Sequence, residues 1–409
     1  MAASARVYYH LFAAQALALV STGLATVALA LLAYKLAGAD AGAVMGTALA
    51  IKMGAYVLIA PFAAAFSERL PRRPLLVGLD LFRAGVALLL PLVTEVWQIY
   101  LLIFAFQAAS AVFTPTYQAL VPELWPDEAD YTKALARSRL VYDLESLVSP
   151  ALAAGLLTVV SFRGVFLGTA LGFVVSALLI LRVAVPNAAA VRAEPIAARA
   201  LRGMKVFLAT PRLRALLAIN LAAAAATAMV TVNTVVLAQS RFGLTERATA
   251  LALATYGFGS MVGALAIPPL LRRVADRRAM LAGGVVLAAC LGIGALLPSH
   301  FVMLALWLGL GLGGALAQVP AGGLLRRSAP RSDRQSLYAA QFAASHAALL
   351  VTYPLAGSLG ASAGLPATFA VLAGLSAAAV LAAVLLWPAD DELPVEGSLE
   401  RSLRVDDPG

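Results

Sequence analysis

The feature that most limits what this sequence can become is a recurring run of about 20 mostly apolar residues, the length a helix needs to cross the hydrocarbon core of a bilayer. Twelve such runs can be read, over 10–34, 43–67, 74–93, 97–121, 137–160, 163–185, 213–237, 246–270, 279–297, 300–323, 336–360 and 364–387. Short charged or proline-bearing breaks separate them. The tightest is Ser161-Phe162-Arg163-Gly164, which is ample for two antiparallel helices. A chain of 409 residues that is 62% hydrophobic, 12% charged and of mean hydropathy +0.88 cannot fold in water without exposing large apolar areas. The expectation is an all-α membrane protein with twelve transmembrane helices.

A net charge of +9 would suit nucleic acid or an acidic partner if it were concentrated on one soluble surface, but its placement follows membrane topology instead. Four cations (Lys35, Arg163, Arg241 and Arg247) lie in or beside odd-numbered loops, Lys52 lies within helix 2, and the rest cluster on the opposite side. Both termini are therefore expected in the cytoplasm of a bacterial inner (plasma) membrane, with the lipid bilayer as partner and no nucleic acid. The first apolar run is too long for a signal core and has no clear cleavage site, so it is expected to stay as helix 1. Cys290, the single cysteine, precludes an intrachain disulfide or a cysteine-cluster metal site and reads as packing.

Transporters commonly duplicate a bundle and place the solute between the copies. A shift of about 204 residues aligns three features here. Arg69 and Arg73 fall on Arg273 and Arg277, Pro150 falls on Pro354, and Pro115-Thr116-Tyr117 falls on Pro320-Ala321-Gly322 with one residue of slippage. The expected organisation is a six-helix bundle over 1–185, a cytoplasmic linker over 186–212, a second six-helix bundle over 213–387 and a disordered tail over 388–409. The linker, with Arg192, Glu194, Arg199, Arg202 and Lys205, reads as a basic strap along the membrane surface. No soluble segment is long enough for an enzyme, and no cofactor is expected.

After helix 2 the chain reads Ala64-Ala65-Phe66-Ser67-Glu68-Arg69-Leu70-Pro71-Arg72-Arg73-Pro74, with Asp80 and Arg83 inside helix 3. The charge order resembles the loop signature of the major facilitator superfamily, with Ala64, Glu68 and Pro71 where that signature has Gly, Asp and Gly. The resemblance implies the major facilitator fold of two pseudo-symmetric bundles. It also makes Glu68, Arg69, Arg72, Arg73, Asp80 and Arg83 gate residues, able to pair in one conformation and separate in another; a plain positive-inside anchor is the alternative. Helix 5 carries Ser149-Pro150-Ala151-Leu152-Ala153-Ala154-Gly155, similar to the superfamily's antiporter motif, whose small residues let helices approach and bend.

Ionisable groups within a membrane span cost about 2.5 to 3.5 kcal/mol each on insertion scales and mark function by default. Lys52 lies near mid-depth in helix 2, His346 near mid-depth in helix 11, and Asp143 and Glu145 in helix 5. Two residues apart on a helix, Asp143 and Glu145 point in nearly opposite directions. Asp143 has Arg139 one turn back for an ordinary i,i+4 pair, whereas Glu145 has only Tyr142 and Ser149 as turn neighbours. Glu145 is thus the preferred transport carboxylate, against a structural ion pair elsewhere in the bundle. His346 can accept a proton, ligate a soft cation with Glu145, or sit as a hydrogen-bonded interior His. The superfamily resemblance places helices 2 and 11 opposite each other, so Lys52 and His346 become candidate neighbours. Gln15, Gln107, Asn220, Asn233, Gln318, Gln341 and Tyr353 complete the polar set on the presumed cavity helices, with interhelical hydrogen bonding as the alternative role.

Within the superfamily, Leu70-Pro71-Arg72-Arg73, Val96-Trp97-Gln98-Ile99-Tyr100, Ala111-Val112-Phe113-Thr114-Pro115-Thr116, Tyr142-Asp143-Leu144-Glu145-Ser146-Leu147-Val148-Ser149-Pro150, Ser345-His346 and Thr352-Tyr353-Pro354-Leu355-Ala356-Gly357 resemble the bacterial nickel-resistance exporters. That resemblance implies a proton-coupled exporter of a divalent transition metal such as nickel, with Glu145, Asp143 and His346 at the matching positions; a monomer is expected. The 388–409 segment carries no His, unlike the His-rich tails of many such exporters. An exporter of drugs or small amphipathic metabolites is the alternative, and a non-transporting membrane receptor or scaffold a third reading.

Overall fold

The computed structural model describes residues 2–67, 70–124, 148–186, 204–271, 273–296, 299–328 and 334–387, and all the regular structure among them is helical. The first helices are α1 (Ala2–Ala37), α2 (Ala41–Ser67), α3 (Arg72–Leu89) and α4 (Val96–Leu124). Then come α5 (described over 148–156) and α6 (Phe162–Leu181). The second half holds α7 (Pro211–Val235), α8 (Glu246–Leu270), α9 (Asp276–Gly294), α10 (His300–Gln318), α11 (Arg334–Ser362) and α12 (Leu365–Leu386). Short helices lie at 204–209 and Ala321–Ser328, and a six-residue π-helical stretch, Val236–Arg241, follows α7.

Ten runs among the described residues are long and apolar enough to cross a membrane, and the first, Arg6–Ile59, contains both α1 and α2 joined by the single turn Gly38–Asp40. The expected fifth span, 137–160, is described only from 148, so the count of twelve rests in part on residues outside the description. The same holds for the tail and for most of the linker.

The helices are inside-out relative to those of a water-soluble protein. On α3 the buried face carries Leu76, Asp80, Arg83, Ala84 and Ala87, while Leu81, Phe82, Leu88 and Leu89 are exposed. Leu296 at 81%, Phe301 at 80% and Leu385 at 76% exposure would each forfeit about 1.5–3 kcal/mol of burial in water. In lipid they lose nothing.

The chain forms two compact bodies, and their border does not follow the midpoint of the sequence. One comprises 1–196 together with 232–254 and 353–361; the other comprises 197–231, 255–352 and 362–409. In the first, α1 packs on α6, α2 on α4, and α3 on both α4 and α6. Small residues set these distances: a Cβ at Gly172 of α6 would meet Ser21 Oγ of α1 at 2.0 Å. In the second body α9 packs on α10 and α12. There α8 and α10 interlock, because a Cβ at Gly259 would lie 2.3 Å from the Leu308 carbonyl and one at Gly311 2.1 Å from that of Tyr256.

Candidate functional site

In the first body, α1, α2 and α4 enclose a small pocket whose polar lining is Thr22, Thr26, Lys52 and Gln107, set among Leu29, Leu49, Leu90, Ile103 and Phe106. Both threonines turn their hydroxyls onto their own helix, Thr22 Oγ1 donating to the Ala18 carbonyl at 2.9 Å and Thr26 Oγ1 to that of Thr22 at 3.0 Å. The pocket therefore presents an amide and a cation in an apolar wall. Gln107 is only 4% exposed, and its Oε1 has no hydrogen-bond partner. Leaving such a group unmatched costs about 1–3 kcal/mol, which a solute with a matching donor would recover. Gln15 is likewise buried on α1.

Deeper in this body the α3 pair Asp80 and Arg83 is fully enclosed. Arg83 donates to Asp80, the i,i+3 spacing placing both on one face. Ser176 Oγ of α6 donates to the other carboxylate oxygen at 2.6 Å and is also 3.0 Å from the Ala14 carbonyl of α1. Arg83 reaches Ser110 of α4 at 3.4 Å, and its guanidinium is sandwiched between Phe113 and Phe173, 4.4 and 4.5 Å from the ring centroids. Four helices of the first body, α1, α3, α4 and α6, thus meet on one ion pair. Nearby, Arg72 is buried and Arg73 donates to the Leu181 carbonyl at the end of α6. Asp80, Arg83 and Arg73 all find these partners inside the first body.

The second body brings three of the expected polar residues together. Asn220 Oδ1 accepts from Gln318 Nε2 at 3.1 Å and from Gln341 Nε2 at 3.2 Å, while Asn220 Nδ2 donates to Gln341 Oε1 at 3.0 Å. Ser345, one turn beyond, lies 3.4 Å from Gln341 Nε2. His346 stacks on Phe342 with centroids 3.8 Å apart, and its Nδ1 lies 2.8 Å from the Phe342 carbonyl, the geometry of a donated bond. Thr227 and Tyr256 hydroxyls meet at 3.3 Å, a contact between α7 and α8 that no sequence spacing indicates. Among the described residues no group of three or more His, Cys, Asp and Glu side chains could hold a metal ion. Glu68, Arg69, Asp143 and Glu145 lie outside the described residues. Lys52 belongs to the first body and His346 to the second.

Asn233 and Tyr353 sit elsewhere, where second-half segments join the first body. Asn233 Nδ2 donates to the Ala356 carbonyl at 3.1 Å. A Cβ at Gly42 or Gly360 would come within 2.6 or 2.8 Å of Asn233 Oδ1, and one at Gly46 within 2.5 Å of the Tyr353 carbonyl. The Gly42-x-x-x-Gly46 edge of α2 is thus seated directly on the α11 backbone.

Relatives place the chain. Macrolide efflux protein A of Streptococcus pyogenes is 25% identical over 185 residues, 44% of this chain and 45% of that protein. The protein of the same name from Enterococcus faecalis is 28% identical over 153 residues, 35% of this chain and 47% of that one. The chain thus spans less than half the length of the curated relatives it matches. Among solved structures, the nucleoside transporter NupG superposes with a TM-score of 0.74 at 13% identity, covering 93% of this chain and 100% of that one. A bacterial homologue of the human lysosomal transporter Spinster, in an inward-facing and occupied conformation, gives 0.73 at 12%, covering 96% and 99%. Identity this low speaks to the fold alone. The family profile described as Major Facilitator Superfamily matches residues 11–268 and 216–405, and with nearly the whole sequence so covered the chain belongs to the Major Facilitator Superfamily, a superfamily of membrane transporters and not of enzymes.

Proposed function

We propose that this protein exports a small amphipathic organic solute from the cytoplasm by alternating access of two six-helix bundles, 1–185 and 213–387. The inner membrane is its place of action, and both termini face the cytoplasm. The observation that carries the reading is the pocket of α1, α2 and α4, where the buried Gln107 Oε1 lacks a partner in a wall that Lys52 also lines. An unmatched amide oxygen in a membrane interior is an acceptor waiting for a donor on a cargo, and the leucine, isoleucine and phenylalanine walls suit the rest of an amphipathic molecule. The efflux relatives favour the same class of cargo.

The reading of a proton-coupled nickel exporter is the second arm of the same test. It rests on Glu145 as coupling carboxylate and on His346, whose imidazole already bonds the Phe342 carbonyl and stacks on its ring. Cells expressing the chain are challenged with a macrolide series and a nickel series beside cells carrying an empty vector. Raised macrolide tolerance that Gln107→Leu removes supports the proposal; raised nickel tolerance alone transfers the function to the metal; and no change in either series sinks both.

A further inference from the structure

Cations are rare on the face opposite the termini, where the sequence places only Lys35, Arg163, Arg241 and Arg247. Three of the four converge on the turn between α5 and α6. Arg163 lies in it. Lys35, at the end of α1, stands 5.5 Å from the centroid of the Phe162 ring. Arg247 reaches in from the first turn of α8, its Nε donating to the Leu157 carbonyl at 2.8 Å and an Nη to the Thr158 carbonyl at 3.1 Å. Those carbonyls lie at the C-terminal end of α5, where acceptors are left over and the helix dipole is negative.

The residue before Arg247 does the converse. Ser161, the N-cap of α6, makes no side-chain capping bond. The carboxylate of Glu246 faces this N-terminus, within electrostatic reach of the Phe162 backbone amide and of Lys35. One dipeptide therefore supplies an acid to the positive end of α6 and a base to the negative end of α5, each matched in sign. Glu246 and Arg247 are held out by a tight connector: Gly243 adopts φ +66°, a left-handed conformation that glycine tolerates, directly after the π-helical stretch Val236–Arg241.

We propose that Glu246 and Arg247 form a clasp that fastens the α7–α8 connector to the α5–α6 turn, closing this end of the protein, and that it must release each time this end opens during transport. The seat of Gly42 and Gly46 on α11 lies in the same body and is packing without charge. The clasp supplies directional bonds that can break and re-form, which tight apolar packing alone does not. Release is a property of the chain itself, so its test needs no knowledge of the cargo.

The test places spin labels at Val159→Cys and Leu251→Cys, both exposed and outside the clasp, in a Cys290→Ala background in lipid nanodiscs. The parent should give one dominant short distance. Glu246→Gln and Arg247→Gln should each raise a second, longer population by about tenfold, the effect of losing a charge-assisted cap. Arg247→Lys keeps the charge but cannot fork over two carbonyls, so its shift should be smaller. If Arg247→Gln does not fold, Glu246→Gln and Arg247→Lys decide the matter. A lowered melting temperature with a single unchanged distance would mark the contacts as a static weld and overturn the proposal.

Discussion

Replacing Arg83 separates a structural ion pair from a moving one. Asp80 is 0% and Arg83 3% exposed, and apart from Arg83 the carboxylate receives a hydrogen bond from Ser176 Oγ. Arg83→Ala leaves a buried carboxylate with that single donor, and removing one partner of such a pair costs about 3–5 kcal/mol. Arg83→Lys keeps the charge but loses the planar fork and the stacking on Phe113 and Phe173, a loss of about 1–2 kcal/mol. Asp80→Leu combined with Arg83→Met removes both charges into a site already lined by aromatic rings, and should be neutral or stabilising by about 1–4 kcal/mol. The assay is unfolding of the purified protein in detergent, read by thermal melting and by graded denaturant, with export activity of the double variant in parallel. A double variant that melts like the parent and still exports establishes a weld within the first bundle. Arg83→Ala with under about 1 kcal/mol of destabilisation, or a stable double variant that no longer exports, would refute this reasoning and return the pair to the gate.

Three further outcomes follow from the packing. Gly46→Ala forces a methyl to within 2.5 Å of the Tyr353 carbonyl, a backbone atom that cannot step aside, so it should destabilise by about 1–3 kcal/mol in a melting assay; an unchanged midpoint would contradict the α2–α11 seat. Gln107→Leu removes an unmatched buried amide oxygen and should raise the melting temperature while lowering export, a combination that a merely structural glutamine would not give. Asn220→Leu strips hydrogen bonds from both Gln318 and Gln341 and should cost about 1–3 kcal/mol, with Gln341→Leu added to it costing less than the sum of the two alone.

The all-helical membrane character of the chain was legible because lipid asks one simple thing of a helix: an apolar run of sufficient length, which local sequence states directly. The polar meeting of Asn220, Gln318 and Gln341 was legible only as polar residues on separate helices, since their hydrogen bonds join positions about a hundred residues apart. The Asp80–Arg83 pair had a local signal in its i,i+3 spacing, but the aromatic box and Ser176 that enclose it come from α4 and α6. Arg247 illustrates the rest. Its position in an odd-numbered loop marked it as unusual, yet its partners are the Leu157 and Thr158 carbonyls. Backbone acceptors carry no residue signature, so no motif could announce the contact. Likewise a Gly-x-x-x-Gly pair in α2 says that something packs closely there, without saying that it is α11.

The most direct measurement of the central claim is solute flux in vesicles containing only the purified protein, with a labelled macrolide inside and its appearance outside followed over time. The account predicts protein-dependent release that is slowed by Gln107→Leu. Flux no different from protein-free vesicles, for macrolides and for other amphipathic solutes alike, would contradict it.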